Sequence, residues 1–431
     1  MDSEKLLFYE ALAQQLHDDG LDEVATLMEK TVKVEPNTLL RKDHLYQLFK
    51  NTAYLSSRVV AGANSSDPAV ESQMNEARLN QILNEVSLPS QLDEAAFKVV
   101  SFSDFCNFPT YRPCRCIAES NDASVLAAGG AAGALHVIPT VEADGDTLKR
   151  KPNGHSTTKV QGHNESVEAV DFHPRRTIIA SGGADCNILV HDINVANGFI
   201  HSVSEIQKIN DSSPIRCLRF HPCGDFLYAG TGNSIIRLFD LTTKACFTSS
   251  QTRRQHQGGG INGCDVLHSG GLVFTAGGDG SVIIWDGKTL DVLNALEDIH
   301  GGSPVLCVRC DKYGRYLLSS GHDGSTKVVD IRMMKELISL ARPGLNAVRT
   351  ASDFMYNSGY IATLAVTQSG RKINNDVMVY NMHTGYKEAE LSSLVARQNI
   401  LNIYASRSEM ALYILTADAT CKVVSFFDPS S

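Results

Sequence analysis

Hydrophobic positions follow one rhythm at the front of the chain and another behind it. Over residues 4–18, Leu6, Tyr9, Leu12, Ala13 and Leu16 recur at helical spacing. Asp18-Asp19-Gly20 predicts a stop there, with Gly20 as the C-cap. A second amphipathic stretch carries Val24, Ala25, Met28 and Val32. A third carries Leu40, Leu45, Leu48 and Phe49, with Asn37-Thr38 placed to cap it. From about 56 to 109, Ser, Asn, Asp and Glu with weak periodicity predict a flexible linker. Beyond 110 the helical period disappears, and short apolar runs alternate with small residues and polar turns.

Those runs repeat. Residues 178–192 read IIASGGADCNILVHD, 226–240 FLYAGTGNSIIRLFD, 272–286 LVFTAGGDGSVIIWD and 316–330 YLLSSGHDGSTKVVD. Each is an apolar strand, a small-residue step, a polar turn and a second apolar strand closing on Asp. The closing residues Asp192, Asp240, Asp286 and Asp330 are 48, 46 and 44 apart, near the ~40–45 residues of a WD40 propeller blade. Weaker copies stand at 125–138, 376–381 and 412–428. An innermost strand precedes each copy: CRCIA, SVEAVDFHP, PIRCLRFHP, INGCDVL, PVLCVRC, AVRTASDF and ILNIYAS. The predicted fold is mainly β, a seven-bladed WD40 β-propeller over 110–431, preceded by a small all-α module over 1–54 and the linker over 55–109.

The residue types fit this architecture. Middle strands covered by neighbouring blades on both faces are apolar throughout, as in Val282-Ile283-Ile284-Trp285. Small residues such as Ser181-Gly182-Gly183 are expected where blades crowd. Pro and Gly after Phe172-His173 and Phe220-His221 reverse the chain. Many WD blades join a His, a strand Ser or Thr, a turn Asp and a Trp by hydrogen bonds. Blade two offers His163, Ser181 and Asp185, with His191 in place of Trp. Blade four offers Asp279 and Trp285, with Ala276 read in the Ser place. Blade five offers Asp323. These networks are therefore expected to be mostly incomplete.

Hydrophobic residues make up 43% and charged residues 20% of the 431, the balance of a soluble globular protein. No apolar run approaches the ~20 residues a bilayer requires, and the acidic start does not resemble a signal peptide. A cytoplasmic or nuclear protein without membrane contact is expected. The eleven cysteines, odd in number and scattered through strands, read as small buried hydrophobes. Of the net charge of −9, residues 1–110 hold −8 and the remainder −1, which does not point to a dedicated nucleic-acid binder.

No residue pattern points to catalysis, a metal or a cofactor. Gly287-Lys288-Thr289 lacks the upstream glycine of a P-loop, since that position is Val282. Cys307 and Cys310 face opposite ways on a strand, and Cys114 and Cys116 have no further ligand at suitable spacing. His163, His173, His221, His256 and His300 recur at similar blade positions and read as structural. Lys149-Arg150-Lys151 reads as a solvated loop. Arg253-Arg254, Tyr356 and Tyr360 are loop candidates for partner contact. Three short helices are too few to bury their apolar faces alone, so a second copy is the expected partner, with packing on the propeller as the alternative. Leu6, Tyr9, Leu12, Leu16, Val24, Met28, Leu45 and Leu48 are the dimer-interface candidates.

With both parts in view, the chain resembles the family of the WD-repeat subunit of cleavage stimulation factor (subunit 1), which acts in pre-mRNA 3′-end processing. The likeness runs over about 160–345, through HNESVEAVDFHP, RFHPCGDFLYAGT, SVIIWDGKTLDV and KYGRYLLSSGHDGSTKVVDI. The resemblance implies a nuclear, non-enzymatic scaffold that homodimerises through its N-terminal module. It further implies a helical-repeat scaffold subunit as partner, a link to the RNA polymerase II C-terminal domain, and RNA contact that is indirect or weak. A ubiquitin-ligase substrate receptor, or another general interaction scaffold, is one competing reading, although no F-box or cullin-adaptor motif is evident; a direct RNA binder is another.

Overall fold

Seven four-stranded antiparallel sheets carry the repeat pattern in the computed structural model of the chain. It describes residues 99–108, 113–144, 147–150, 157–196, 199–249, 255–340, 347–356, 359–369, 372–392, 394 and 399–426. The three expected helices and all eight dimer-interface candidates, Leu6 to Leu48, lie outside these residues.

The innermost strands are the seven predicted: Cys114–Glu119, Val167–Phe172, Ile215–Phe220, Ile261–Val266, Val305–Cys310, Ala347–Phe354 and Ile400–Ala405. Each packs against its neighbour, and the last returns to the first, closing a ring. Six blades are simple meanders, although blade one carries an extra hairpin, Val141–Asp144 with Thr147–Arg150, before its outer strand Thr158–Gln161.

Blade seven is built from both ends of the described chain. Its outer strand is Val99–Asn107, antiparallel to Thr420–Phe426, with Phe102 opposite Val424 and Cys106 opposite Cys421. The propeller therefore includes Val99–Asn107, inside the segment expected to be linker up to 109. Blade seven has only three strands of its own at the C-terminal end. Leaving the third, Thr420–Phe426, as a free edge would expose its backbone N–H and C=O groups. Phe105, Cys106 and Phe108 then fill the seam between blades seven and one, against Tyr413, Cys421 and Cys114.

The core lies between blades, because each sheet is apolar on both faces. Val125–Gly130 and Ala134–Pro139 are buried at every position, as are Val282, Ile283, Ile284 and Trp285. Fully burying each Val, Leu or Ile among them contributes about 1.5–3 kcal/mol. The small residue of the second strand in blades two and three is fixed by this crowding. A Cβ on Gly182 would stand 2.5 Å from Ile215 in blade three, and one on Gly230 2.6 Å from Ile261 in blade four. Ala276 occupies the same position in blade four.

The closing Asp has a local task. Asp240, Asp286 and Asp330 each accept backbone N–H bonds from residues two and three further on, at 2.8–3.1 Å. Asn381 does the same in blade six. This includes the N–H groups of Lys288 and Thr289, so Gly287-Lys288-Thr289 is a capped turn. Asp192 does not close a turn. Its strand runs on through Asn187–Ala196 and pairs with the twelve-residue outer strand Phe199–Asn210.

Candidate functional site

Hydrogen-bond networks hold the blades rigid beneath the loops. In blade four, His256 Nδ1 donates to Asp279 at 3.0 Å, its Nε2 accepts from the Thr275 hydroxyl at 2.8 Å, and Trp285 Nε1 donates to the same Thr275 oxygen at 2.8 Å. This four-membered network is complete, against the expectation from Ala276. The pairing register puts Thr275, one residue earlier, opposite Ile283 in the hydroxyl position, while Ala276 is the small residue facing the next blade. Blade two has His163 bonded to Asp185 and Ser181, both at 2.9 Å. Blade five has His300 bonded to Asp323 at 3.1 Å and Ser319 at 3.0 Å. Both stop there, with His191 and Val329 standing where blade four has Trp285.

Charge follows from these bonds. Burial raises the Asp279 carboxyl, but hydrogen bonds from His256 and the Gln257 N–H outweigh it and hold it well below the usual carboxylate range. Asp185 is held at about 2 by the same balance, with Asn187 and His163 opposing burial. His173 and His221 are also structural. His173 Nδ1 accepts the N–H groups of Arg175 and Arg176, both at 3.0 Å, and His221 Nδ1 accepts that of Cys223 at 3.1 Å. Their rings wedge against turn glycines of the next blade, Gly224 and Gly270, both with positive φ.

One end of the channel carries an ionic plug. The penultimate residues of the innermost strands are Ala118, Asp171, Arg219, Asp265, Arg309, Asp353 and Tyr404, so charge alternates from blade two to blade six. Arg219 bridges Asp171 at 3.1 Å and Asp265 at 2.9 Å. Asp171, Asp265 and Asp353 each also accept a backbone N–H of the following blade, from Phe220, Cys310 and Ala405. Glu119 accepts from Ser406 and the Arg407 N–H, carrying the chain of bonds from blade seven to blade one. Burial disfavours the charged Arg219, yet Asp171 and Asp265 together push its pKa well above the ordinary value. Asp353 shows the opposite balance, burial raising its carboxyl in spite of Arg309.

At the other end lies the candidate site. All seven innermost strands break register between their first and third residues, a bulge repeated at one position. Bulges re-aim side chains. The second residues here are Arg115, Glu168, Arg216 and Asn262 in blades one to four, then Leu306, Val348 and Leu401 in blades five to seven. They join across blades at the channel mouth. Arg115 pairs with Glu168 at 2.7 Å, Arg216 donates to Asn262 at 3.1 Å, and Asn262 to the Val305 carbonyl at 2.9 Å. The second residues are thus polar in blades one to four and apolar in blades five to seven, with Val348 48% exposed, beside the exposed Arg349 and Asn402, which donates to the Arg115 carbonyl at 3.1 Å. Such a rim suits a protein or peptide partner through one apolar anchor and directional hydrogen bonds.

Among the described residues, no group of three or more His, Cys, Asp and Glu is placed to hold a metal. All eleven cysteines are free. Seven are buried, Cys186, Cys223 and Cys310 are half-buried, and Cys246 is exposed. Tyr356 is exposed, but Tyr360 is a buried strand residue, 6% exposed, because its ring turns inward at the start of Tyr360–Ser369. Arg253-Arg254 and Lys151 lie outside the described residues; Lys149 and Arg150 sit on the blade-one hairpin. The mouth residues went unnoticed in the sequence because a bulge is a property of pairing; the available signal was the recurring residue after each innermost strand's first apolar position.

Comparison with known proteins supports the same architecture. The family model described as WD domain, G-beta repeat matches residues 154–192, 204–240, 247–286 and 294–330. The chain is 31% identical to Cleavage stimulation factor subunit 50 of Arabidopsis thaliana, over 48% of this chain and 47% of that one. It is 25% identical to Pre-mRNA-splicing factor cwf17 of Schizosaccharomyces pombe (strain 972 / ATCC 24843), over 40% and 47%. It therefore spans about half the length of these curated relatives. The crystal structure of the Myceliophteria_thermophila Cps50 (Swd1) beta-propeller domain superposes with a TM-score of 0.60 at 13% identity, over 76% of this chain and 99% of that one, a likeness of fold. The chain carries four segments that match the WD-repeat model and folds as a seven-bladed β-propeller, and it is similar to mRNA-processing factors.

Proposed function

We propose that this chain is a non-enzymatic scaffold subunit of the nuclear pre-mRNA 3′-end cleavage and polyadenylation machinery. It binds protein partners at the bulge-lined mouth and dimerises through residues 1–54. The observation that carries the reading is the 31% identity to a cleavage stimulation factor subunit, together with a mouth that offers recognition groups. A helical-repeat scaffold subunit is the expected partner at the mouth, and the RNA polymerase II C-terminal domain a further one. The domain division is the helical module 1–54, a linker ending before Val99, and the propeller.

The test is affinity purification of the tagged full chain from nuclear extract, followed by identification of the proteins recovered. Subunits of the 3′-end cleavage machinery are expected. Recovery of cullin-adaptor subunits without them would overturn the reading in favour of a ubiquitin-ligase receptor. For the dimer, sedimentation of the full chain should give twice the monomer mass and fall to the monomer in Leu12→Asp/Leu16→Asp. A monomeric wild type at tens of micromolar would overturn that part.

A further inference from the structure

The end of the ring opposite the mouth carries, on blades five and six, a patch unlike the rest of that rim. Four segments compose it: Asp311–Arg315, Ile331–Met334, Met355 and Tyr356 with Gly359, and Met382–Tyr386. In an antiparallel blade, the first-to-second and third-to-fourth turns emerge at the same end. Three contacts join these four into one surface. The Ile331 N–H donates to the Arg315 carbonyl at 2.9 Å, and the Met382 N–H to the Gly359 carbonyl at 2.9 Å. Between blades, Lys312 Nζ lies 5.8 Å from the centre of the Tyr356 ring.

The exposed side chains of this surface are rings and cations. Tyr313 is 68% exposed, Tyr386 74%, Tyr356 40% and Met333 47%. Lys312, Arg315 and Arg332 stand among them, also exposed. The four turns contain a single acid, Asp311, which is buried and occupied in capping the N–H groups of Tyr313, Arg315 and Tyr316. Asp330 is likewise buried beneath Arg332, bonding the backbone N–H groups of Arg332 and Met333. Within these segments the carboxylates are thus turned inward and the exposed charges are cations, Arg332 also pairing with the buried Asp330 carboxylate at 3.3 Å.

We propose that the turns of blades five and six form a binding surface for single-stranded RNA. Unpaired bases present flat faces that stack on tyrosine rings, and phosphates pair with neighbouring cations; the combination is that of a sequence-tolerant single-strand platform. An acidic peptide would use the three cations but would leave three exposed rings without a role. A duplex hides its base faces and cannot use the rings at all. This surface is separate from the mouth, so protein capture and RNA contact occur at opposite ends of the ring.

The test is fluorescence anisotropy of the purified full chain with a labelled twelve-nucleotide single-stranded RNA, titrated across salt. Three phosphate contacts predict a slope of log K against log salt of about −2. Tyr313→Ala/Tyr386→Ala should weaken binding by about tenfold or more with an unchanged thermal transition, because both rings are exposed. Lys312→Glu/Arg332→Glu should also weaken it and flatten the salt slope, while Leu306→Asp at the mouth should leave it unchanged. The proposal is overturned if the wild type does not bind at low salt, if duplex RNA of the same sequence binds equally, or if the tyrosine pair is dispensable. It is also overturned, in favour of an acidic peptide, if polyglutamate displaces the RNA as well as unlabelled RNA does.

Discussion

Trp285 Nε1 donates to the Thr275 hydroxyl oxygen at 2.8 Å, the same oxygen that faces His256 Nε2 at 2.8 Å. One hydroxyl thus satisfies two buried rings, linking the third strand of blade four to the loop that leads into its first. Thr275→Val keeps the shape and removes both bonds, leaving two ring nitrogens unpaired in a dry site. We expect a loss of about 2–4 kcal/mol in urea unfolding, with Thr275→Ser restoring most of it. A loss below about 0.5 kcal/mol would show that packing alone holds the blade.

His136, fully buried in blade one beside Phe108, is pushed down to about 4, by burial first and by the Lys159 charge second. Its unfolded value is about 6.5. The unfolded chain therefore binds the extra proton between these two values, so this contribution is complete above about pH 6.5 and declines as pH falls toward 4. Urea midpoints at pH 7 and pH 5 should differ in the wild type, and His136→Gln should narrow the difference. An equal difference in the variant would place the titration elsewhere.

Ring closure depends on Val99–Asn107. Lys422 reaches Asp104 across this strand pair, and Phe105 packs edge-on against Tyr413 at 5.2 Å. A chain starting at residue 110 should lose the cooperative thermal transition that a chain starting at residue 92 keeps. Equal transitions in both would mean that blade seven stands without its fourth strand.

Asp265 serves two neighbours at once, accepting from Arg219 and from the Cys310 N–H. Asp265→Ala leaves a largely buried guanidinium with one partner fewer and an uncapped N–H, a change expected to cost about 3–5 kcal/mol. Asp265→Ala combined with Arg219→Leu should cost less than the sum of the two single changes. Strict additivity would mean that the ionic plug does not act as a unit.

Much of the fold was legible because local order dominates within a blade. The innermost strands of blades two to five stood out as apolar runs followed by a small-residue strand and a closing Asp, those of blades one, six and seven by weaker copies, and all seven are present. Val99–Asn107 was not legible, because its partner lies more than 310 residues away and its polar Ser101, Ser103 and Asp104 blend into the segment before it. Thr275 was misplaced by one position, since only pairing distinguishes the hydroxyl position from the small-residue position beside it. Tyr360, a loop candidate in the sequence, is the first residue of a strand that begins immediately after Gly359. The mouth was least legible of all: Arg115, Glu168, Arg216, Asn262, Leu306, Val348 and Leu401 share no chemistry, only a bulged backbone position.

If the bulged position recruits protein partners, Leu306 and Val348 are where recruitment can be broken. Tagged wild type and Leu306→Asp/Val348→Asp are to be compared by quantitative recovery of cleavage-machinery subunits from nuclear extract, after confirming equal thermal transitions. The variant should remain folded and lose at least about tenfold of the recovered helical-repeat subunit. Undiminished recovery with a folded variant would show that partners bind elsewhere.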